Sequence, residues 1–359
     1  MTIRPPWRQS QRDMFPAVSA SIDSLRASLK KREPLTVEQS RSLANSLLSA
    51  ELSDEQAAEL LVELAEKGET ADELHGFVSA LLERAEKVPF TGATLDTCGT
   101  GGSGFIRFNV STLVAFVLAA AGLTVAKHGN RGSRRPNGSF DLLEALEVPI
   151  DLGGAQVAEA LTETGLAFLF ARRFHPVMKG VVGARKLAQR RTIFNLAGPL
   201  SNPTNVSMQV VGCSSVGDAR TVAGCLWRLG RKQACALTGH SGIDDVDLSG
   251  PSQLFASSQD PEPTLVDPGV LGLARTPYEE LPGGDAEVNA RLFLELIANT
   301  GPAALRDQVY LSAAVALRTS GRTATLESGL ALANELFESG AVRDKFEAYK
   351  NVAARLASA

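Results

Sequence analysis

From Ile22 to Lys87 apolar residues recur at three- and four-residue spacing, as at Ala57, Leu60, Leu61, Leu64 and Ala65. That is the period of a helix buried along one face. Three of these runs open on a capping-box pattern, at Thr36 to Gln39, Ser53 to Gln56 and Thr70 to Glu73. There the hydroxyl and the carboxylate or carboxamide satisfy each other's backbone N–H groups. The pattern predicts a small N-terminal helical domain over 22–90, with helices near 178–203 as candidates to join it. Residues 1–21 carry prolines and no period, and read as an extension that could dock through Trp7 and Phe15.

At Thr94 the pattern changes. Short apolar runs (ATLDTCG, LTVAKHG, FLFARR, MQVVGCSS, ACALTGH) alternate with helical text. This predicts a large α/β domain over 91–359 with a mainly parallel central sheet and helices on both faces. Ligands in such sheets bind beyond the carboxyl ends of the strands. The polar clusters GTGG, KHGN, ARRFHP and GHSGIDD stand at such ends, which predicts one crevice built from separate segments. The stretch from Glu287 to Ala359 is again helical and reads as structural.

Composition narrows the class. With 359 residues the chain can bury one large or two modest cores. A net charge of −4 argues against a general nucleic-acid binder. The four cysteines, Cys98, Cys213, Cys225 and Cys235, have no metal-ligand spacing, and two or three of them sit in apolar segments and read as reduced core residues of a cytoplasmic protein. No apolar run is long enough for a membrane span, and the first residues lack the apolar core of a secretory signal. His75 reads as a helix residue, partly buried or at the surface, not as a ligand.

The chemistry concentrates around DTCGTGGSGFIRFNVST and KHGNR. Gly99, Gly101, Gly102 and Gly104 form a turn between a strand and a helix that starts at Ser111-Thr112. Such a turn lets backbone N–H groups approach a phosphate, and the helix start adds its positive dipole end. Lys127 supplies a point charge. No GK[ST] follows, so this is not a P-loop, and the acidic residue of a dinucleotide fingerprint is missing. Two plainer readings stay open: glycines that only permit positive φ at a tight joint, and Asn109 or Ser111-Thr112 as a helix N-cap. Asp244-Asp245 follow GHSGI. Adjacent carboxylates are costly unless a cation meets them, and Mg²⁺ takes one or two carboxylates plus substrate phosphates. Solvated loop acids are the alternative.

Taken together, GTGG, FNVST, KHGNR and GSFDLLEALEV resemble the anthranilate phosphoribosyltransferase family. The likeness runs from Ile22 to the C-terminus and returns in FLFARRFHPVMKGV, RRTIFNLAGPLSNPTN and SGIDDVDLSGPSQL. The resemblance implies transfer of a phosphoribosyl group from phosphoribosyl pyrophosphate to anthranilate, a step of tryptophan biosynthesis. It implies donor contacts at Gly99, Thr100, Gly101, Gly102, Asn109, Ser111, Thr112, Lys127 and Ser139. Acceptor contacts fall on His128, Asn130, His175, Met178 and Arg185, and Mg²⁺ ligands on Ser111, Asp244 and Asp245. It also implies a homodimer through the helical domain, with no membrane and no nucleic acid as partner.

The sequence departs from the family near the site. Ser103 stands for the usual Asp, Arg134-Arg135 for small or hydroxyl residues, Arg172 for Pro, and Ala188-Gln189 for Leu-Gly, with a further change near Gly183. Asp245 replaces Glu and is one methylene shorter, so it is expected to reach a metal through water. Three readings follow: an ordinary anthranilate enzyme with drifted loops, a paralogue with a different aromatic or more anionic acceptor, and a non-catalytic relative that binds nucleic acid.

Overall fold

A computed structural model describes residues 21–101, 107–132, 137–204 and 206–358. Trp7, Phe15, Gly102, Ser103, Gly104, Arg134 and Arg135 lie outside the described residues. In chain order the elements are α1 (Ile22–Lys30), α2 (Val37–Leu48), α3 (Asp54–Lys67), α4 (Ala71–Arg84), β1 (Thr94–Gly99), α5 (Val110–Ala120), β2 (Val125–Gly129), α6 (Ser139–Ala145), α7 (Gly154–Thr164) and β3 (Leu166–Phe170). Then come α8 (Ala171–Phe174), α9 (Val182–Ala188), α10 (Ile193–Leu200), β4 (Val206–Gly212), α11 (Val216–Arg228), β5 (Gln233–Thr238), β6 (Ser252–Ala256) and β7 (Pro263–Val266). Four helices close the chain: α12 (Ala286–Ile297), α13 (Ala303–Thr319), α14 (Leu326–Glu338) and α15 (Ala341–Ala357).

Two compact units result. The helical one joins the chain up to Ala85 with His175–Ser201. All three capping boxes form: Thr36 Oγ1 accepts from Gln39 N and Gln39 Oε1 from Thr36 N, with the same exchange at Ser53/Gln56 and Thr70/Glu73. Leu43, Leu60, Leu61, Leu64, Leu74 and Phe77 fill its core. At Gly76 an added Cβ would lie 2.6 Å from Val37 O, so the missing side chain lets α4 close on α2. Glu73 is fully buried at that joint and accepts from Leu35 N, Thr70 N and Lys67 Nζ, each at 2.8 Å. Phe194 of α10 meets Phe77 edge-on at 5.4 Å.

The larger unit spans Glu86–Phe174 and Asn202 onward. Its sheet runs β3-β2-β1-β4-β5-β6-β7. The first five are parallel, mostly buried, and need no in-out alternation because helices cover both faces. β6 and β7 extend the sheet antiparallel. Those two were not among the runs read from the sequence, since no helix separates them and periodicity alone does not mark so short a pair. Phe116, in the apolar stretch of α5 that follows Ser111 and Thr112, packs among Phe168, Phe293, Phe346 and Tyr349 at 5.4–6.2 Å. The architecture is the expected one, a small helical domain and a larger α/β domain. Among the described residues no helix is long and apolar enough to cross a membrane. The four cysteines are all buried and unbridged.

Candidate active site

The strand order reverses between β1 and β4, which lie side by side although β2 and β3 intervene in the chain. A reversal of this kind opens a crevice beyond the strand ends. Gly99 pairs with Gly212 there, and Thr100 N donates to Gly212 O at 2.8 Å. Gly101 follows with φ +70°, a left-handed conformation that glycine adopts freely. Its N–H points at Asp244 Oδ2, 2.7 Å away.

Asp244 and Asp245 stand on the segment after β5. A third acid, Asp247, shapes that segment: it is fully buried and accepts from Ser241 N at 2.7 Å and Ser249 N at 2.8 Å. Asp245 Oδ1 accepts from its neighbour Val246 N at 2.8 Å and from Ser312 Oγ on α13 at 2.9 Å. Burial pushes the Asp245 carboxyl up to about 6, against the pull of Arg107, Ser312 and the Val246 N–H. Asp244, with its side chain fully buried, has Arg107 Nη2 2.6 Å from Oδ1. That approach is an ion pair without an aligned hydrogen bond, so Oδ1 keeps acceptor capacity. Burial lowers the Arg107 guanidinium pKa, but Asp244, Tyr278 and Asp245 outweigh it and hold the group above its ordinary value.

Ser111, Asp244, Asp245 and Ser312 line one narrow cavity of about 20 Å³, room for a single water-sized guest. Two carboxylates and a hydroxyl fit a hard divalent cation of magnesium type, which prefers oxygen ligands and leaves positions for substrate phosphates. Among the described residues no three His, Cys, Asp or Glu side chains gather to hold a metal by themselves. A metal here would therefore lean on oxygens that arrive with a substrate.

Lys127, in the middle of β2, lies beneath the turn. It is 2% exposed, and its Nζ donates to Thr97 O at 2.5 Å and to Ser111 Oγ at 3.1 Å. Burial lowers its pKa, with Asp96 the main opposing charge. Asp96 is fully buried and its carboxyl is raised by that burial. It accepts from His128 N at 3.2 Å, Asn202 Nδ2 at 3.0 Å and Gln209 Nε2 at 3.3 Å. Arg231, itself buried, donates to Gln209 Oε1. This network under the crevice sets where β2 ends, and so where Lys127 and His128 stand.

Asn109 caps α5 by position but makes no side-chain cap bond. Its amide is spent on loop structure, giving to Asn137 O at 2.8 Å and taking from Asn289 Nδ2 at 2.9 Å. Thr112 is fully buried with its Oγ1 unbonded, and its N–H returns to Asn109 O at 3.0 Å. Thr100 Oγ1 is likewise buried without a hydrogen bond. Ser139 opens α6, and its Oγ gives to Asn130 O at 3.3 Å. Asn130 is exposed, while His128 is buried.

The remaining candidates belong to the helical unit. His175 is buried, with Nε2 2.8 Å from Ser201 O. Met178 is half-buried in the turn that follows. Arg185, half-buried on α9, stacks its guanidinium over the Phe194 ring at 5.9 Å, and burial lowers its pKa. Arg172, one of the departures, is exposed on α8 of the α/β unit. Sequence reasoning missed Arg107, Tyr278, Ser312 and Asn289. Arg107 lies within DTCGTGGSGFIRFNVST, but nothing there singles it out; no motif marks the other three, and the last two sit on α13 and α12, in the C-terminal stretch read as structural.

The fold and this arrangement define a class. The chain matches the α/β domain of a glycosyl transferase family over residues 91–343 and that family's helical bundle domain over residues 23–85. Within the class, the chain belongs to the anthranilate phosphoribosyltransferase family. The Exiguobacterium sibiricum anthranilate phosphoribosyltransferase is 40% identical over 316 residues, 87% of this chain and 93% of that protein. The one from Rubrobacter xylanophilus is 37% identical over 337 residues, 93% of this chain and 98% of its own. The crystal structure of the Thermus thermophilus enzyme superposes with a TM-score of 0.86 at 36% identity, covering 93% of this chain and 100% of its own. The Saccharomyces cerevisiae enzyme in complex with PRPP and Mg shares the fold, with a TM-score of 0.83 at 23% identity over 93% of this chain and 99% of its own.

Proposed function

We propose that the chain transfers the phosphoribosyl group of phosphoribosyl pyrophosphate to the amine of anthranilate, releasing pyrophosphate. The observation that carries this reading is the crevice at the β1–β4 reversal, where the Gly101 N–H, Ser111, Lys127 and the acidic pair stand together. The reaction breaks a ribose C–O bond and builds negative charge on the leaving pyrophosphate. Fixed N–H groups and cations aimed at that charge lower the barrier. Lys127 and the glycine-turn amides hold the pyrophosphate, with Gly99, Thr100, Gly102, Asn109, Thr112 and Ser139 around the donor. Magnesium, when bound by Ser111, Asp244 and Asp245, would neutralise part of the pyrophosphate charge.

On the acceptor side the reading assigns His128, Asn130, His175, Met178 and Arg185, with the Arg185 guanidinium meeting the anthranilate carboxylate. An aromatic amine attacking a dissociating ribosyl centre needs alignment more than a strong base, so positioning supplies most of the rate. The reading includes a homodimer through the helical domain and a cytoplasmic location, both by analogy with the family.

The test is direct. Purified chain with donor, Mg²⁺ and anthranilate should consume anthranilate, followed by loss of its fluorescence. The gene should also restore growth of a tryptophan auxotroph lacking this transferase. Failure of both, together with turnover of a different aromatic acceptor, would point to the paralogue. Salt-sensitive oligonucleotide binding without turnover would point to the nucleic-acid reading.

A further inference from the structure

Arg107 and Asp244 pose a problem for the site as assigned. Asp244 is the first candidate metal ligand, yet its Oδ1 carries the Arg107 guanidinium at 2.6 Å and its Oδ2 carries the Gly101 N–H at 2.7 Å. A divalent cation on that carboxylate would stand beside the Arg107 guanidinium, like charge against like charge, so the two compete for Asp244. The backbone at Arg107 is pinned. Its carbonyl accepts from Asn289 Nδ2 at 2.9 Å, and its backbone lies so close to Gly283 that a Cβ there would collide with it. The side chain is less confined: it is 26% exposed, while that of Asp244 is fully buried. The guanidinium can therefore swing while the chain that carries it stays in place.

Once a metal takes Asp244, Arg107 loses its strongest partner. A half-buried guanidinium left unpaired is costly, and the Tyr278 hydroxyl that hydrogen-bonds it carries no full charge. The anion that enters this crevice, on the donor reading, is pyrophosphate, and a planar five-donor fork suits phosphate oxygens. We infer that Arg107 is a donor-binding residue that occupies Asp244 in the metal-free chain and moves to the donor's pyrophosphate when magnesium takes that carboxylate. This rests on the phosphoribosyl-donor reading of the same crevice. Its consequence is coupling: metal alone must displace Arg107 with no donor phosphate to receive it, whereas metal and donor together exchange one ion pair for two. Each ligand then strengthens the other by the same factor.

Mn²⁺ is the probe, read by electron paramagnetic resonance, with donor affinity followed by calorimetry in the presence of Mn²⁺. In the wild-type chain Mn²⁺ alone should bind weakly, and donor should tighten it at least tenfold. Arg107→Ala should bind Mn²⁺ alone at least fivefold more tightly than wild type and bind donor with Mn²⁺ at least tenfold more weakly, so that the coupling collapses. Arg107→Gln, neutral and of similar length, should move both constants the same way and decides the matter if the Ala variant does not fold. Wild-type chain that binds no donor even with Mn²⁺ would overturn the donor reading itself. Wild-type chain that binds donor with Mn²⁺, beside Arg107 variants whose two constants match it, would overturn the role of Arg107 alone.

Discussion

Ser312 of α13 donates its hydroxyl to Asp245 at 2.9 Å, which ties a C-terminal helix to the acidic pair after β5. The same hydroxyl can also give to Gln308 O at 2.9 Å, so it is held in place from its own helix. Removing it leaves a buried carboxylate short of a donor. Ser312→Ala should weaken magnesium-dependent donor binding by about 1.5–3 kcal/mol, the size of a hydrogen bond to a charged group. Calorimetric titration with donor and Mg²⁺ checks this. An unchanged affinity would mean that Ser312 serves the fold only.

Lys127 bridges Thr97 O and Ser111 Oγ beneath the glycine turn. Lys127→Met keeps most of the apolar stem and removes the charge. Donor affinity should fall by about 1.5–3 kcal/mol, while the Michaelis constant for anthranilate at saturating donor stays close to wild type. Equal losses for both substrates would place Lys127 in the general architecture of the crevice.

Asp96 supplies a dependence of stability on pH. Burial raises its carboxyl in the folded chain above the ordinary 3.8, with Lys127, Asn202 and the His128 N–H acting against the shift. A carboxyl raised in the folded state contributes stability that is fully present below its unfolded value and is lost as pH rises through its folded value. The advantage of wild type over Asp96→Asn should therefore shrink from pH 3.8 upward. Urea unfolding of both chains at pH 4 and pH 7 measures it. An advantage that grows with pH would show that the donors and cations outweigh burial.

Arg185 is the proposed carboxylate partner of the acceptor. Arg185→Ala should raise the Michaelis constant for anthranilate by about tenfold or more, in line with loss of a charge-assisted contact, and leave that for the donor within about twofold. Comparing aniline with anthranilate in the wild-type chain gives a second reading. If the two substrates react equally, no carboxylate recognition operates at Arg185 or elsewhere.

Much of this was legible in the sequence for identifiable reasons. The five parallel strands are short, mostly apolar and buried because both faces of the sheet are covered. The helix starts in the N-terminal domain carry their own local signal in the three capping boxes. The polar segments after β1, β2 and β5 stand at strand ends, as the alternation of runs implied. What stayed hidden depends on contact between segments far apart in the chain. Arg107 looks like any loop arginine until Asp244 is brought to it. Asn289 and Ser312 look like the polar faces of ordinary helices until the loops that they bond are in place. Asn109 read equally well as a helix cap, and only the positions of Asn137 and Asn289 show that its amide is used elsewhere.

Gly99 and Gly212 sit opposite one another at the reversal of the sheet, and a Cβ on either would strike Asp244, at its carboxylate in the first case and at its backbone in the second. Even alanine is too large at both places. The two positions therefore separate what evolution or a designer can change from what is fixed. The seat of the acid is set by two adjacent absences, and library screens that vary the whole crevice should recover only glycine at this pair while tolerating wide diversity a few residues away.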